Sequence, residues 1–243
     1  IPVGAALGVL GLTLDPMFSE LPLTRALGEI SWNSNNEFLL VAIPLFILLG
    51  EVLLRAGLAE KMYQSMSLWL SWLPGGLMHA NIGASTLFSA TSGSSVATSA
   101  TVGTVAIPQI KKHGYKESLF LGSLAAGGTL GILIPPSINL VLYGVLTNSS
   151  VPKLYLAGII PGLLAALLFM GVIIGACLWR PAWGGQRVHA SWGDRMRSLV
   201  HLLPPAFIFL LVVGSIYAGL ATPTEAAALM ALDAFSDATW GRK

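Results

Sequence analysis

Charged residues are scarce in this sequence. Asp, Glu, Lys and Arg make up 10% of its 243 residues, whereas hydrophobic residues reach 54% and the mean hydropathy is +0.75. A soluble domain carries about 25% charged residues, so this composition excludes an ordinary soluble protein and indicates a membrane protein embedded in the lipid bilayer. The formal net charge is only +2. Because no run of Lys or Arg is long enough for a nucleic-acid-binding patch, nucleic acid is not an expected partner.

Cysteine is nearly absent, and the motifs of common catalytic sites are missing. The single cysteine, Cys177, lies in an apolar run, which excludes a disulfide framework. No His–Glu pair at metal-binding spacing and no GxSxG motif occurs. The histidines are scattered near the expected membrane interfaces, at His79, His113, His189 and His201. We therefore expect neither an enzyme nor a transition-metal site, and no organic cofactor.

The most unusual stretch is Ile82 to Pro108, which is polar yet uncharged. Between Gly83 and Thr104 every residue is Gly, Ala, Ser or Thr, except Leu87, Phe88, Val96 and Val102. A single span of this composition would present many hydroxyl groups to lipid, which is costly unless each finds a partner. The central SGSS at 92–95 suits a turn or a helix cap better than the middle of a helix.

These features predict a re-entrant helical hairpin over residues 77–110. The arms Gly83–Ser92 and Val96–Ile107 would each reach about 15 Å, which is half of a ~30 Å hydrocarbon core. The tip at 92–95 would then lie near the middle of the membrane.

A second interruption lies at residues 127–137, GGTLGILIPPS, within the apolar segment 115–147. The paired prolines at 135 and 136 remove two backbone donors and clash with the carbonyl groups of Gly131 and Ile132. The segment therefore predicts a discontinuous helix with free carbonyl groups at membrane depth, where only protein or a polar cavity can satisfy them. A simple proline kink is the structural alternative.

The other long apolar runs predict ordinary membrane-spanning helices. These runs are Phe38–Leu54, Leu154–Leu178 and Leu199–Leu220. Pro44 is expected to kink the first of them. Polar connections are expected at residues 15–36 and 179–198, and TPTE at 222–225 is expected to cap a further helix.

Residues 55–72 have an amphipathic pattern. One side carries residues spaced by three or four, namely Leu58, Met62, Met66 and Trp69, and the opposite side carries Glu60, Lys61 and Gln64. This pattern favours an arm helix lying in the membrane interface, with Trp69 and Trp72 at headgroup level. An ordinary packed helix is the alternative.

The distribution of Lys and Arg predicts the orientation of the chain. If 77–110 is a hairpin, one side of the membrane collects Arg55, Lys61, Lys111, Lys112, Lys116, Arg180, Arg187, Arg195 and Arg197. The other side holds Arg25 and Lys153. The positive-inside rule places the larger group in the cytoplasm. A membrane-crossing stretch in place of the hairpin would leave nearly the same imbalance, so composition, and not charge, carries the hairpin prediction.

The hairpin tip and the helix break together predict an ion and substrate site near the midplane, as in secondary transporters with broken helices. Free carbonyl groups at helix ends suit a hard cation such as Na⁺, and free N–H groups at the start of the second arm suit a carboxylate. The predicted cation ligands are Ser92, Gly93, Ser94, Gly128, Thr129 and Gly131. The predicted substrate contacts are Ser95, Thr98, Pro136 and Ser137. Only oxygen ligands are expected because neither segment contains His, Cys or a carboxylate.

Several motifs in order resemble one transporter family. They are IPLFILLGEVLLRAGLAEKM, LPGGLMHANIGAS, SGSSVATSATVGTVAIP, GTLGILIPPSINLVLYGVLT, LYLAGIIPGLL and YAGLATPTEAAALMAL. Together they resemble the large membrane (permease, DctM-like) subunit of TRAP transporters, the tripartite ATP-independent periplasmic transporters of the ion-transporter superfamily. The resemblance covers residues 1–232.

This resemblance implies an elevator-type carrier in the bacterial inner membrane, with many membrane passes. Such a carrier takes up small organic anions, usually carboxylates such as C4-dicarboxylates, and Na⁺ is the coupling ion. A small membrane subunit and a periplasmic substrate-binding protein that delivers the ligand are the implied partners.

The resemblance also implies a division of the chain and a departure from the family pattern. Scaffold helices and the arm helix are expected in 1–76, and transport-domain elements in 77–147, as a hairpin (77–110) and a broken helix (115–147). Further helices are expected in 148–220, with a cytoplasmic loop at 179–198. Residues 221–243 are interpreted as the start of a second inverted repeat, followed by a tail, 233–243, outside the family pattern. Because family members are nearly twice as long, a non-transporting scaffold that only binds the small subunit is the alternative function.

Overall fold

A computed structural model describes residues 3–18, 23–186 and 190–229. The chain is all-α, and no strand occurs in these described ranges. The α-helices are α1 Val3–Phe18, α2 Leu23–Asn35, α3 Ala42–Arg55, α4 Leu58–Leu70, α5 Leu77–Ser92, α6 Ser95–His113, α7 Glu117–Thr129, α8 Ile138–Thr147, α9 Val151–Trp179, α10 Trp192–Ser198 and α11 Leu203–Tyr217. Short 3-10 turns adjoin several of them, at Phe38–Val41, Leu130–Ile132, Pro181–Gly184 and Leu199–Leu202.

Three helical segments within the described residues are long and apolar enough to cross a membrane. They are Phe38–Arg55, Val151–Trp179 and Trp192–Tyr217. Each contains or overlaps one of the spans predicted from the apolar runs, so the interpretation as an all-α membrane protein is confirmed.

Two predicted polar connections are partly helical, which corrects the sequence interpretation. Residues 15–36 contain the end of α1 and all of α2, so much of this predicted connection is helical despite its polar composition. Within 179–198, α10 begins after Ser191, whose hydroxyl accepts the Gly193 N–H at 3.3 Å. Asp194 in its first turn complements the helix dipole. Arg187, predicted to lie in this loop, is outside the described residues.

Pro44 does not interrupt the middle of a helix. The chain forms a 3-10 turn at Phe38–Val41, and Pro44 then falls in the first turn of α3. A proline is tolerated there because the first N–H groups of a helix lack intrahelical acceptors. The helix type changes just before Pro44, and a kink at this proline stays a prediction.

The helices α5, α6 and α7 pack closely through small residues. Asn81 Nδ2 donates to Ser123 Oγ at 2.9 Å in the buried contact between α5 and α7. A Cβ at Gly127 would lie 2.8 Å from Ser85 Oγ, and a Cβ at Gly103 would lie 3.4 Å from Leu124. Small residues that allow close backbone approach are a common means of packing membrane helices. The small-residue stretch therefore faces protein and not lipid over much of its length.

One hydrophobic core surrounds these three helices. Most of its buried side chains come from α5, α6, α7 and α9, such as Met78, Ile82, Val102, Phe120 and Ile173, and Leu130 of the adjoining 3-10 turn also belongs to it. A second core joins α3, α8, α9 and α11 to residues 226–227 and includes Phe46, Leu49, Val141, Tyr155 and Val212. Phe88 of α5 belongs to this second core, so α5 is held from both sides.

Helix α4 packs against protein along a wide face. Met62 and Tyr63 are buried, whereas Glu60, Lys61 and Gln64 are exposed, as the amphipathic pattern indicates. The Ser65 hydroxyl donates to the Ser198 carbonyl at 2.9 Å. These contacts agree with a packed helix, and an interfacial position for α4 stays a prediction.

The TPTE motif caps a helix, as predicted. Residues 223–229 are helical, and the Thr222 hydroxyl accepts the Glu225 N–H at 3.3 Å. Glu225 Oε2 in turn accepts the Thr222 N–H at 2.8 Å, which completes a capping box. The predicted tail, 233–243, lies outside the described residues.

Candidate functional site

The turn between α5 and α6, here called the α5–α6 turn (Ser92–Ser95), brings two helix ends side by side. Helix α5 ends at Ser92, and Gly93 takes the left-handed conformation with φ 65°. Ser94 is extended, and its hydroxyl accepts the Ala97 N–H at 3.3 Å, so it acts as the N-cap of α6. The carbonyl end of α5 and the N–H end of α6 therefore lie next to each other.

The broken helix consists of α7, a 3-10 turn at Leu130–Ile132, a non-helical segment at 133–137 and then α8. We call 133–137 the helix break. The Leu130 carbonyl accepts the N–H groups of Leu133 and Ile134 at 3.0 and 2.9 Å. The Ile132 carbonyl accepts the Ser137 hydroxyl at 2.8 Å. Local donors thus satisfy part of the backbone that the prolines disrupt.

The α5–α6 turn contacts the helix break directly. The Ile138 N–H, at the start of α8, donates to the Gly93 carbonyl at 3.1 Å. A Cβ at Gly93 would lie 2.6 Å from the Pro136 carbonyl oxygen, and a Cβ at Gly131 would lie 2.8 Å from the Ser95 nitrogen. Only glycine permits both approaches, and at Gly93 the positive φ adds a second requirement. The structure therefore brings the two interrupted elements together.

Buried hydroxyl groups line the inner side of this contact. Thr98 is fully buried, and its hydroxyl donates to the Ser94 carbonyl at 2.7 Å. Its Oγ1 lies 3.3 Å from both Ser89 Oγ and Ser92 Oγ. Ser89 was missed by the sequence interpretation, although its position three residues before Ser92 places both hydroxyls on one helix face. Clustered neutral oxygens are the kind of ligand that Na⁺ accepts, since hard cations prefer oxygen.

The outer side of the contact is an open groove of about 540 Å³ between the start of α6 and the end of α7. Ser95, Ser99, Gly128 and Thr129 contribute to its lining. A Cβ at Gly128 would collide with Ser99 Oγ, so the two helices touch at this point. Ser99 is a second residue that the sequence interpretation missed. The groove is the accessible part of the region.

The predicted residues divide between these two sides. Those packed in the interior are Ser92, Gly93, Thr98, Gly131, Pro136 and Ser137, and those lining the groove are Ser95, Gly128 and Thr129. Thr129 is exposed, and its hydroxyl donates to the Ala126 carbonyl at 2.7 Å, away from the inner hydroxyl cluster. Ser94 lies between the two sides, where its hydroxyl is engaged as a helix cap.

No formal charge lies in this region, so its electrostatics come from helix ends and hydroxyl dipoles. Within the described residues, no group of three or more His, Cys, Asp or Glu side chains is placed to hold a metal ion. His79, expected at an interface, is instead fully buried, and its Nε2 lies 2.8 Å from the Pro74 carbonyl oxygen. This arrangement suits binding of a hard cation or a small anion by oxygen and N–H groups, and offers no titratable group for acid–base catalysis.

Comparison with known proteins gives a consistent result. The sequence model of one family, described as "Tripartite ATP-independent periplasmic transporter, DctM component", matches residues 1–242. This range includes most of the tail expected to depart from the family pattern. The C4-dicarboxylate TRAP transporter large permease protein DctM of Pseudomonas aeruginosa is 37% identical over 93% of this chain and 52% of its own length.

Two further relatives have related names. DctM of Vibrio cholerae, also named for C4-dicarboxylates, is 33% identical over 97% of this chain and 51% of its own length. The isethionate TRAP transporter permease protein DctMQ of Oleidesulfovibrio alaskensis is 34% identical over 95% of this chain and 36% of its own length. The chain thus spans about half the length of its DctM relatives. Because the family model matches residues 1–242, the chain belongs to the DctM family of tripartite ATP-independent periplasmic transporter components.

Proposed function

We propose that the chain forms the first half of an elevator-type carrier that takes up a small organic anion together with Na⁺. The family consists of transporter components and not enzymes, and its members are multi-pass proteins of the bacterial inner membrane. The contact between the α5–α6 turn and the helix break carries the proposal. It gathers helix ends of opposite polarity beside buried hydroxyl oxygens, in a region without formal charge.

The cation would bind on the inner side of this contact. The Thr98 hydroxyl donates its proton to the Ser94 carbonyl, so Ser89 and Ser92 are the donors in their contacts with Thr98, and the lone pairs of these two serines are left as acceptors. The carbonyls of Gly93 and Gly131 are the backbone ligands we assign, with Ser94 as a further candidate, whereas Gly128 and Thr129 line the groove and are not assigned to this side. All of these ligands are oxygens, as Na⁺ requires.

The organic anion would bind at the groove on the outer side. Ser95, at the start of α6, lines this groove, whereas the predicted contacts Pro136 and Ser137 are buried and do not line it. Relatives named for C4-dicarboxylates, sialic acid, ectoine and isethionate indicate a small polar or anionic solute. A C4-dicarboxylate is the substrate that we propose to test first.

The proposed mechanism also assigns roles to the elements. Helices α5 and α6 form a re-entrant hairpin that, with the broken helix, belongs to the moving domain at 77–147. Residues 1–76, including α3 and α4, belong to the scaffold, and 148–220 supply further membrane helices. A small membrane subunit and a periplasmic binding protein are the proposed partners, and the fused DctMQ relative is consistent with the first of them.

Uptake measurements test this function. The chain would be reconstituted in lipid vesicles with a small subunit and a binding protein from a C4-dicarboxylate TRAP system, and uptake of labelled dicarboxylate followed under an inward Na⁺ gradient. Gly93→Val and Gly131→Val should abolish Na⁺-dependent uptake because a side chain would separate the turn from the break. Gly122→Val is the matched control, since a Cβ at Gly122 meets nothing within 4 Å.

The outcomes separate two functions. Uptake that needs Na⁺ and is lost only in the first two variants supports the carrier. Normal uptake in both variants would exclude this site. Co-purification with the small subunit, without uptake by any variant, would favour the non-transporting scaffold.

A further inference from the structure

Three helix ends meet at a surface that includes no residue of the α5–α6 turn. They are the end of α6, the start of α7 and the end of α9, with the 3-10 turn Pro181–Gly184 between them. The Gln186 N–H donates to the His113 carbonyl at 2.8 Å, and the Lys116 N–H donates to the Trp183 carbonyl at 3.4 Å. Tyr115 is buried beneath, where its hydroxyl accepts the Leu77 N–H at 2.9 Å. Backbone hydrogen bonds therefore fix the geometry of this surface.

Two cations are held against the same aromatic ring. Lys116 Nζ lies 3.5 Å from the centroid of the Trp183 ring, and Arg180 Cζ lies 5.1 Å from it. Arg180 Cζ also lies 5.7 Å from the Trp179 ring. Cation–π contacts at these distances orient both side chains. Lys116 and Arg180 are nonetheless exposed, so their remaining N–H donors are available to a ligand.

The positive charge of this surface is not neutralised by the protein. Lys111 and Lys112, in the last turn of α6, add to Lys116 and Arg180. Glu117 is the acidic residue in the same segment, which leaves four cations against one carboxylate. Among the residues that the structure describes, no carboxylate forms an ion pair with Lys111, Lys112, Lys116 or Arg180. An anionic ligand would neutralise part of this positive charge.

The position of the surface indicates the source of that anion. Helix α9 is a candidate membrane span that ends at Trp179, so Arg180 and Trp183 follow at the level of the lipid headgroups. Trp179 is 80% exposed and Leu178 is 66% exposed, which gives an acyl chain apolar surface directly beside the cations. A soluble phosphate would bind the cations but would make no favourable contact with this apolar surface.

We propose that Lys116, Arg180 and Trp183 form a binding site for the headgroup of an anionic phospholipid, with Lys111 and Lys112 strengthening it. The phosphate accepts hydrogen bonds from Lys116 and Arg180, and the acyl chains lie along the end of α9. The site ties the α6–α7 connection and the end of α9 to the membrane surface. It does not depend on the transport function proposed above.

Tryptophan quenching by brominated lipid tests this site. The full chain would be placed in phosphatidylcholine vesicles, and brominated phosphatidylglycerol or brominated phosphatidylcholine added at equal mole fraction. Brominated phosphatidylglycerol should quench more strongly than its mole fraction predicts, and Trp183→Phe should reduce this excess, with the exposed Trp179 as the remaining reporter. Lys116→Gln and Arg180→Gln should each weaken the preference for phosphatidylglycerol about fivefold, as expected for one cation at an anionic surface.

Matched variants separate the site from general charge and from misfolding. Lys116→Arg keeps the cation and should keep the preference. Arg55→Gln removes a cation that is paired with Glu51 and should leave the preference unchanged. Lys112 touches no aromatic ring in the described contacts. Lys112→Gln should therefore lose less of the preference for phosphatidylglycerol, with an unchanged helical circular dichroism spectrum. Equal quenching by the two brominated lipids, or relief of the quenching by inorganic phosphate at matched ionic strength, would overturn the proposal.

Discussion

Hydroxyl groups around the α5–α6 turn donate their protons to backbone carbonyls and thereby keep lone pairs free. Thr98 donates to the Ser94 carbonyl, and Ser137 donates to the Ile132 carbonyl. A hydroxyl whose proton is engaged in this way can still accept, and acceptor oxygens are what a hard cation needs. Burial of an uncharged cluster is tolerable because each of these hydroxyl protons has a partner. These local hydrogen bonds therefore favour binding of a cation over binding of an anion on the inner side of the contact between the turn and the helix break.

Gly93 is the residue at which the site is most sensitive to change. We expect Gly93→Ala to destabilise the chain by at least about 1–2 kcal/mol, since an L-residue is disfavoured at positive φ and its Cβ would press on the Pro136 carbonyl. Unfolding midpoints in detergent would measure the loss. Gly122→Ala, in the open part of α7, should be neutral or slightly stabilising. Equal midpoints for the two variants would contradict the role of Gly93.

Glu225 should titrate at an unusually low pH. The Thr222 N–H and hydroxyl hold the pKa of the Glu225 carboxyl below its ordinary value, because both donate to its ionised form. The contribution of this cap to folding is thus present above the unfolded pKa and is lost as pH falls through the lowered folded pKa. A carbon NMR titration of labelled glutamate would show the shift, and Thr222→Ala should return the pKa toward its ordinary value. An unchanged pKa in that variant would exclude the capping contact as the cause.

At the scale of elements, the interruptions of α5–α6 and α7–α8 depend on each other. The Gly93 carbonyl accepts the N–H of Ile138, the first residue of α8, and Gly131 lies against the start of α6. Neither interruption would be stable alone in lipid, since exposed backbone groups there lack partners. Helix α9 adds support, because Gly158 and Gly162 let it pass close to residues 133 and 134 of the break. The broken elements therefore form one packed unit.

The proposed re-entrant hairpin makes a clear labelling prediction. In a background with Cys177 replaced by Ala, single cysteines at Trp72 and Lys112 should react with a membrane-impermeant maleimide from the same side of the membrane. Both positions are exposed, and Trp72 precedes α5 while Lys112 lies in the last turn of α6. A cysteine at Ser149, in the exposed turn between α8 and α9, should react from the opposite side. Reaction of positions 72 and 112 from opposite sides would show that the stretch crosses the membrane.

At the scale of the whole molecule, composition and long apolar runs were enough to predict an all-α membrane protein and its principal spans. The glycines and prolines of 92–95 and 127–137 also marked where helices stop, because these residues act on the local backbone. Helices α2 and α10 were missed because short amphipathic helices look like polar connections when neighbouring helices are unknown.

Side-chain roles within the site were harder to predict than its location. Thr129 faces the groove, and Ser89 and Ser99 join the region, and these three roles depend on how helices rotate against each other. The Ser94 cap is instead a local contact with Ala97, of the kind that the SGSS pattern predicts. Hydroxyl residues are so frequent in this stretch that spacing alone does not separate cap, packing and ligand roles. Tertiary contacts decide between them.

Binding of Na⁺ between two interrupted elements should stabilise the whole chain. A ligand that binds only the folded state contributes about 2.7 kcal/mol at a hundred times its Kd, so the midpoint of thermal unfolding should rise with NaCl and not with KCl at equal ionic strength. Thr98→Val should lose this rise, because it removes an acceptor at the centre of the buried hydroxyl cluster. Thr104→Val should retain it, since the exposed Thr104 hydroxyl bonds within its own helix, to the Thr101 carbonyl. The same rise in KCl, or the same rise with NaCl in Thr98→Val, would place the cation elsewhere. Only a site that joins α5–α6 to the helix break links the Thr98 hydroxyl to the stability of both elements.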